Sequence, residues 1–300
     1  MRNNLRSIDL NLLVVFDALM ETRHVTRAAN QVGLSQPAMS SALRRLRSAL
    51  GDELLVRTPA GMQATLKALE LAEPVRLILR QIERALEPDS AFDPAKAERT
   101  FRIRLSDVLA MLVLPSLLGR FGAADSHMSL DVVHLPPDGT IDALERDELD
   151  MAVSFGLAHG NTILSEPLMS DRMVCVVRRG HPFSTTPPSL ERFLAGRHVR
   201  VSMSPADLRF VDDVLVSDDH RRDVAINLPH WLVVPRVLHE TDFVAVMPER
   251  FFLSLADERL VSCELPFASS AFSWSLYWHR RHDRNPAIRW LRESLRMAVS

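Results

Sequence analysis

One stretch, Thr26 to Arg47 (TRAANQVGLSQPAMSSALRRLR), limits the fold of this chain more than any other. Its adjacent small residues Ala28 and Ala29 let a second helix cross closely over the first. Gly33 ends that first helix, because glycine enters left-handed backbone conformations at little cost. Ser35 can cap the next helix through its hydroxyl, and Pro37 falls in the first turn, where its missing N–H is not needed. Met39, Leu43, Leu46 and Leu50 then recur as an inward stripe at helical spacing. Gln36, Ser40, Arg44 and Arg47 make the opposite stripe, with donors and acceptors suited to base edges and phosphates. An ordinary helical hairpin with a solvated basic face would share some of these features. The Ala-Ala pair, the Gly turn, the capped second helix and a face with no acid between Ser35 and Leu50 together predict a helix-turn-helix over about 25–47 that binds double-stranded DNA.

Charge is distributed accordingly. The net charge of the 300 residues is −2, but residues 1–86 carry 12 Lys and Arg against 8 Asp and Glu, whereas the remainder carries 24 against 30. The basic end is therefore the candidate nucleic-acid end. Cys175 and Cys263 are the only cysteines and form no CxxC pattern, which excludes a disulfide framework or a zinc-finger spacing and suits a reduced cytoplasm. Arg2 and Arg6 precede an apolar run, but Asp17 interrupts it and no cleavage-site pattern follows, so a core helix is expected there and not a signal peptide. No run reaches the roughly 18 apolar residues of a membrane span.

Asp9 can cap a first helix to about Glu21, with Leu10, Leu13, Val14 and Leu19 in its apolar pattern and Phe16 as anchor. After Leu50, the run Leu54–Val56, the turn Pro59–Gly61 and Met62–Ala64 read as a hairpin, completing a winged helix over 1–64. Arg57 at the base of the wing can reach a phosphate, the alternative being a solvated loop arginine. Thr65 opens a long helix over 65–90, in which Ala68, Leu71, Val75, Ile78, Ile82 and Ala85 keep the three-four alternation of a coiled-coil seam. Leu69, Ala72 and Leu79 form a second stripe that can lie back on the winged domain. Two apolar faces on one helix imply a second copy as partner, a monomer with the helix in its own core being the alternative. Pro74 is expected to kink this helix. The stretch Glu87–Arg99 loses periodicity and reads as a linker.

From Thr100 strand and helix patterns alternate, predicting mainly parallel sheets covered by helices in two α/β lobes, one over about 91–167 and 269–300, the other over about 168–268. The first strand, FRIRL, alternates Phe101, Ile103 and Leu105 with arginines. A helix near Asp207 to Leu215 and one from Pro229 to Leu238 fall in the second lobe. Ligands bind in the cleft between such lobes, at the carboxyl ends of strands. The fold class expected is therefore α+β multidomain.

The segments RAANQVGLSQPAMSSALRRLR, GDELLVRTPAGM, PLMSDRMVCVVRRGHP, LHETDFVAVMPERF and YWHRRHDRNPAIRWLR together resemble the LysR-type transcriptional regulators over nearly the whole chain, and within them the branch of nodulation and aromatic-catabolism activators. The resemblance implies an N-terminal winged helix-turn-helix, a dimerising linker helix, and a C-terminal two-lobed effector domain similar to periplasmic binding proteins, assembled as a homodimer or homotetramer. It makes Arg27, Ser35, Gln36, Pro37, Ser40, Arg44, Arg47 and Arg57 the expected DNA contacts, and Leu71, Val75, Ile78 and Ile82 the expected dimer contacts. It directs a small-molecule effector to Ser106, Asp107, Phe155, Asp171, Ser202 and His230. For these the alternatives are structural, namely a helix cap for Ser106, core packing for Phe155 and a surface cap for His230. RNA polymerase is a further expected partner, and no cofactor or metal is expected. Two positions depart from the family pattern. Thr65 is followed by Leu66 where a proline is common, and Arg47 stands where a glutamate is usual. Arg47 would add phosphate attraction unless it pairs with Asp52 or Glu53. An enzyme or a solute-binding protein could also use two α/β lobes, but no GxSxG, HExxH, P-loop or GxGxxG motif is present.

Overall fold

The structure, a computed structural model, describes residues 9–59, 61–86, 92–121, 127–202 and 211–299. Arg2, Arg6, Ala60, the side chain of Ala85, residues 87–91 of the expected linker and the expected helix start at Asp207 lie outside the described residues. The chain divides into two compact units, Met1–Pro88 and Asp89–Ser300. Among the described residues, no helix is long and apolar enough to cross a membrane.

The first unit contains α1 (Asn11–Thr22), α2 (Val25–Gln31), α3 (Gln36–Leu50), the hairpin β1 (Leu55–Thr58) and β2 (Gly61–Ala64), and α4 (Leu66–Leu86). Ala28 and Ala29 are buried, so nothing larger than a methyl group separates α2 from the core it shares with α1 and α3. Gly33 turns the chain at φ +67°, and the Ser35 hydroxyl accepts from the Ala38 N–H at 3.3 Å. Met39, Leu43 and Leu46 point inward with Phe16. The phase of α1 differs from expectation. Leu12, Val15, Phe16 and Leu19 form its buried stripe, while Leu10 and Val14 face solvent. Asp17, half-buried, lies 3.5 Å from Arg76 of α4, and burial raises its pKa against the pull of that guanidinium.

A short relay starts α4. The Thr65 hydroxyl accepts from the Ala68 N–H at 3.1 Å and donates to Asp52 Oδ1 at 2.6 Å. Asp52 Oδ1 also accepts from the Leu54 N–H at 2.7 Å, and these bonds, the Thr65 one first, hold its carboxyl below the usual carboxylate range. The expected seam of α4 is corrected in part. Ala68 and Val75 are buried against their own unit, with Leu71, Ala72 and Leu79 packed beside them. Positions 68, 71, 72, 75 and 79 make one continuous helical stripe, and the winged core takes it. Ile78 and Ile82 stay open to solvent, 44% and 37% exposed, and so does Leu69, expected to pack back, at 51%. The helix runs through Pro74 as one element.

The second unit is built on two mixed five-stranded sheets, not mainly parallel ones. The first contains β3 (Thr100–Arg104), β4 (Ser129–Val133), β5 (Met151–Phe155), β6 (Ile163–Asp171) and β12 (Phe272–His279), in the order β4-β3-β5-β12-β6. The second contains β7 (Met173–Arg178), β8 (Arg197–Val201), β9 (Asp223–Leu228), β10 (Val244–Pro248) and β11 (Leu260–Cys263), in the order β11-β7-β10-β8-β9. In the first, β3 runs parallel to β4 and β5, and β12 runs antiparallel to β5 and β6. Helices α5 (Asp107–Phe121), α6 (Pro137–Glu145), α7 (Leu190–Ala195), α8 (Val211–Ser217), α9 (Val234–His239), α10 (Glu249–Leu255) and α11 (Pro286–Val299) cover them. A 3-10 turn, Trp231–Val233, opens the segment expected as one helix from Pro229. The chain crosses from the first sheet to the second between Asp171 and Met173, and returns between Cys263 and Phe272.

Replacing Thr65 with alanine should remove the α4 cap and cost about 1 kcal/mol, while serine should cost little. Urea unfolding of the full chain tests this, and equal midpoints for the alanine variant and the parent would refute the cap.

Candidate functional site

In the first unit, Gln36, Pro37, Ser40 and Arg44 are all exposed, and residues 36, 40 and 44 lie one above another along α3. Arg27 is exposed on α2, where its guanidinium donates to the Thr22 carbonyl at 3.1 Å. Arg57 is exposed on β1, opposite Met62. Ser35 is exposed, but its hydroxyl already serves the α3 N-terminus. Arg47 lies apart from this open stripe. Its Nε donates to the Glu53 carbonyl at 2.8 Å and Nη2 to the Leu55 carbonyl at 2.9 Å, with the Glu53 carboxylate 3.2 Å away. The turn it grips holds Leu54 at φ +58°, a conformation unfavourable for a branched side chain, yet Leu54 is fully buried. Arg47 therefore ties the end of the helix to the wing. Arg45 is likewise engaged, 2.8 Å from Asp9.

In the second unit a cavity of about 90 Å³ opens between the two sheets. A single water needs roughly 10–15 Å³ by the same measure, so the space suits a small molecule and not a peptide. From the first lobe it is lined by Arg104, Ser106, Asp107, His134, Ser154 and Trp274, and from the second by Arg200, Ser202, Asp212, Arg222 and Trp231 among others. Among the described lining residues, three arginines face two aspartates.

Arg104 is 4% exposed and donates to the carbonyls of Leu135 and Val153 at 2.9–3.1 Å. Ser106 caps α5, its hydroxyl accepting from the Leu109 N–H at 3.3 Å. Asp107 Oδ2 accepts from the Leu232 N–H at 3.0 Å and so links the lobes, while its Oδ1 is buried without a partner among the described residues. Arg222 meets Asp212 through two bonds of 2.7 Å, with side chains only 6% and 11% exposed. The remaining Arg222 nitrogen, Nη1, is also buried without a partner among the described residues. Ser202 is buried at the end of β8; its N–H donates to Leu228 and its carbonyl accepts from Asn227, which in turn receives Arg200. Burial first, and then the positive charge of Arg104, lower the pKa of His134.

The cavity brings together Ser106, Asp107 and Ser202 of the expected effector residues. The other three lie elsewhere. Phe155 packs edge-on against Phe272 with ring centres 5.0 Å apart. Asp171 is buried at the crossing, where Oδ1 accepts from the Arg172 and Arg250 N–H groups and Oδ2 from the Trp274 indole at 3.2 Å. It therefore positions a lining residue and is not one itself. His230 is exposed beside the cavity mouth, its ring 5.6 Å from that of His134. Sequence reasoning missed Arg104, His134, Arg200, Asp212, Arg222 and Trp274. Only Arg104 had a local signal, an arginine at the carboxyl end of a strand, two residues before Ser106, which caps α5.

A winged helix-turn-helix and a two-lobed α/β domain with a polar cleft, carried on one chain, define a DNA-binding regulator of transcription. The description of the LysR substrate binding domain matches residues 94–300, and that of the bacterial regulatory helix-turn-helix protein, lysR family, matches residues 10–81. The chain belongs to the LysR family of transcriptional regulators. It is 33% identical over 299 residues to the HTH-type transcriptional activator NagR of Ralstonia sp, covering 97% of each chain. It is 34% identical over 298 residues to the HTH-type transcriptional activator NahR of Pseudomonas putida, covering 96% of this chain and 97% of that one. The crystal structure of the probable transcriptional regulator PA0477 from Pseudomonas aeruginosa is similar to it with a TM-score of 0.82 at 34% identity, over 97% of both chains.

His198 of β8 gives the regulatory unit a pH dependence. It is fully buried with Nε2 2.7 Å from the Phe193 carbonyl, and burial pushes its pKa down from 6.5 to about 4. The unfolded chain takes up this proton first, so the stabilisation is intact above pH 6.5 and is lost as pH falls from there to about 4. The loss should reach about 3 kcal/mol. Urea unfolding across this range should show the slope and His198→Gln should flatten it; a slope unchanged by the substitution would refute the assignment.

Proposed function

We propose that the chain reads an operator in double-stranded DNA with α3 and answers to a small organic anion held between its lobes. The observation that carries the reading is the coexistence of an acid-free, solvent-open stripe on a capped α3 with a cleft in which, among the described lining residues, arginines outnumber aspartates. Gln36 and Ser40 would meet base edges, Arg44 and Arg57 the phosphates, and Arg27 the backbone beside them. Arg47 contributes by holding the wing. Arg222 Nη1 offers a donor and Asp107 Oδ1 an acceptor, each without a partner among the described residues. Together they suit an anion that also carries a hydroxyl or amino donor, with Ser106, Ser202 and Arg200 beside it. The role is binding, without catalysis, in the cytoplasm where DNA is found.

Two copies would pair through the solvent-open apolar residues Ile78 and Ile82 of α4, with Leu71 at the margin. A homodimer places two α3 helices on half-sites about one helical turn apart, a homotetramer doubles the reach, and RNA polymerase is the remaining partner.

Gel-shift titration against DNA from upstream of the gene and its neighbours tests the reading. Gln36→Ala should relax base preference by roughly 1–3 kcal/mol. Arg44→Ala should weaken all DNA and lower the salt slope by about one unit. Equal retention of operator and random DNA by the parent chain would sink direct readout. For assembly, Ile78→Asp with Ile82→Asp should dissociate the oligomer in sedimentation without unfolding it, since both residues are exposed. An unaltered profile would refute the α4 contact. Val75 is unsuitable for this test, because at 8% exposure its replacement would unfold its own unit.

A further inference from the structure

The antiparallel register of β7 and β11 sets Cys175 directly opposite Cys263. Opposed Cα atoms in such a ladder lie about 4.5–5.5 Å apart. A disulfide spans roughly 4.4–6.8 Å between Cα atoms. Directly opposed residues project from the same face of a sheet, and the two thiols are in contact. Both are free thiols, Cys175 fully buried and Cys263 half-buried.

The pair is chemically unequal. The hydrogen bond from Cys175 lowers the pKa of the Cys263 thiol, while the same contact and then burial push Cys175 up. A more accessible sulfur with thiolate character next to a second, resolving thiol is the arrangement found where cysteines are oxidised reversibly. Disulfides formed in a reducing compartment are usually transient and serve catalysis or sensing.

Their position gives the bond a mechanical meaning. Cys175 follows the first crossing between the lobes by two residues from Met173, and Cys263 is the last residue before the return. The next residue, Glu264, receives Arg172 of the first crossing through bonds of 2.8 and 2.9 Å. The two strands that carry the chain between lobes thus lie side by side where the thiols meet.

We propose that Cys175 and Cys263 form a reversible, hydroperoxide-sensitive disulfide that fastens together the strands at the two crossings. The Cys263 thiolate attacks one oxygen of hydrogen peroxide, the O–O bond breaks, and the departing hydroxide takes up a proton as water, leaving a sulfenic acid. The Cys175 sulfur then attacks the Cys263 sulfur, the S–O bond breaks, and the Cys175 proton leaves with the hydroxyl as a second water. Two thiols are oxidised and one peroxide is reduced, and a small dithiol reverses the bond. The proposal stands on sheet register and does not depend on the ligand reading above.

The test treats the full chain with equimolar hydrogen peroxide, alkylates remaining thiols under denaturing conditions and digests without reductant. Both thiols should disappear together, with a peptide pair joined through Cys175 and Cys263, two hydrogens lighter than its reduced parts, and dithiothreitol should restore both. In Cys175→Ala the reaction should stop at a Cys263 sulfenic acid that dimedone traps. Two thiols still titrating after treatment would overturn the proposal. So would a Cys263 link between two chains, or Cys263 carried to sulfinic acid with Cys175 free. Peptide mapping of the parent chain decides the matter even if the variant fails to fold.

Discussion

The regulatory unit depends on how it holds its first crossing. Asp171 ends β6 and is buried there, and its carboxylate receives two backbone N–H groups and the Trp274 indole. Hydrogen bonds to a buried charged group contribute more than neutral ones, and each donor left without it would pay its own desolvation cost. The adjacent Arg172 grips Glu249 and Glu264, one at the start of α10 and one at the start of the return to the first lobe. These ion pairs keep the Arg172 pKa raised but are partly exposed, so each adds little by itself. Their value is geometric. They fix where both connecting segments start, and the walls of the cleft follow from that.

The cleft inherits its polarity from strand ends. Arg104 satisfies the carbonyl of Val153 in β5 and that of Leu135 just beyond β4, and the Arg222–Asp212 pair is buried with its charges matched. Removing either partner of such a pair leaves an uncompensated charge, so both must be kept once one is buried. The spare Arg222 nitrogen and the spare Asp107 oxygen are what remains after the fold has used these groups for itself. In the proposed mode of binding, a ligand would meet these atoms without displacing a bond among the described residues.

Legibility in the sequence followed the range of the forces involved. The helix-turn-helix was readable because Gly33, Ser35, Pro37 and the stripe from Met39 to Leu46 act within a few residues of one another. The faces of α4 were not, since two apolar stripes are equivalent until the rest of the core chooses one, and it chose Ala68 and Val75. The alternation in Thr100–Arg104 pointed Arg104 outward, but β3 is an inner strand and its arginine is buried on carbonyls that come from 31 and 49 residues away. Asp212 and Arg222 meet only because α8 and the segment before β9 fold against each other. The strand β6 escaped notice because Pro167 interrupts a run that alternates weakly, and that proline sits beside the irregularity in its pairing with β12.

The grip of Arg47 on the wing turn has a bearing on DNA that base contacts alone do not capture. In the proposed mode of binding, a helix and hairpin tied together by Arg47 would favour one spacing, to which a duplex would have to conform. Stiff A-tracts and pliant pyrimidine–purine steps pay different amounts for that conformity. Base pairs that no side chain reaches would then enter the choice of operator through their mechanics, and an arginine with its face turned from the groove would have a share in that choice.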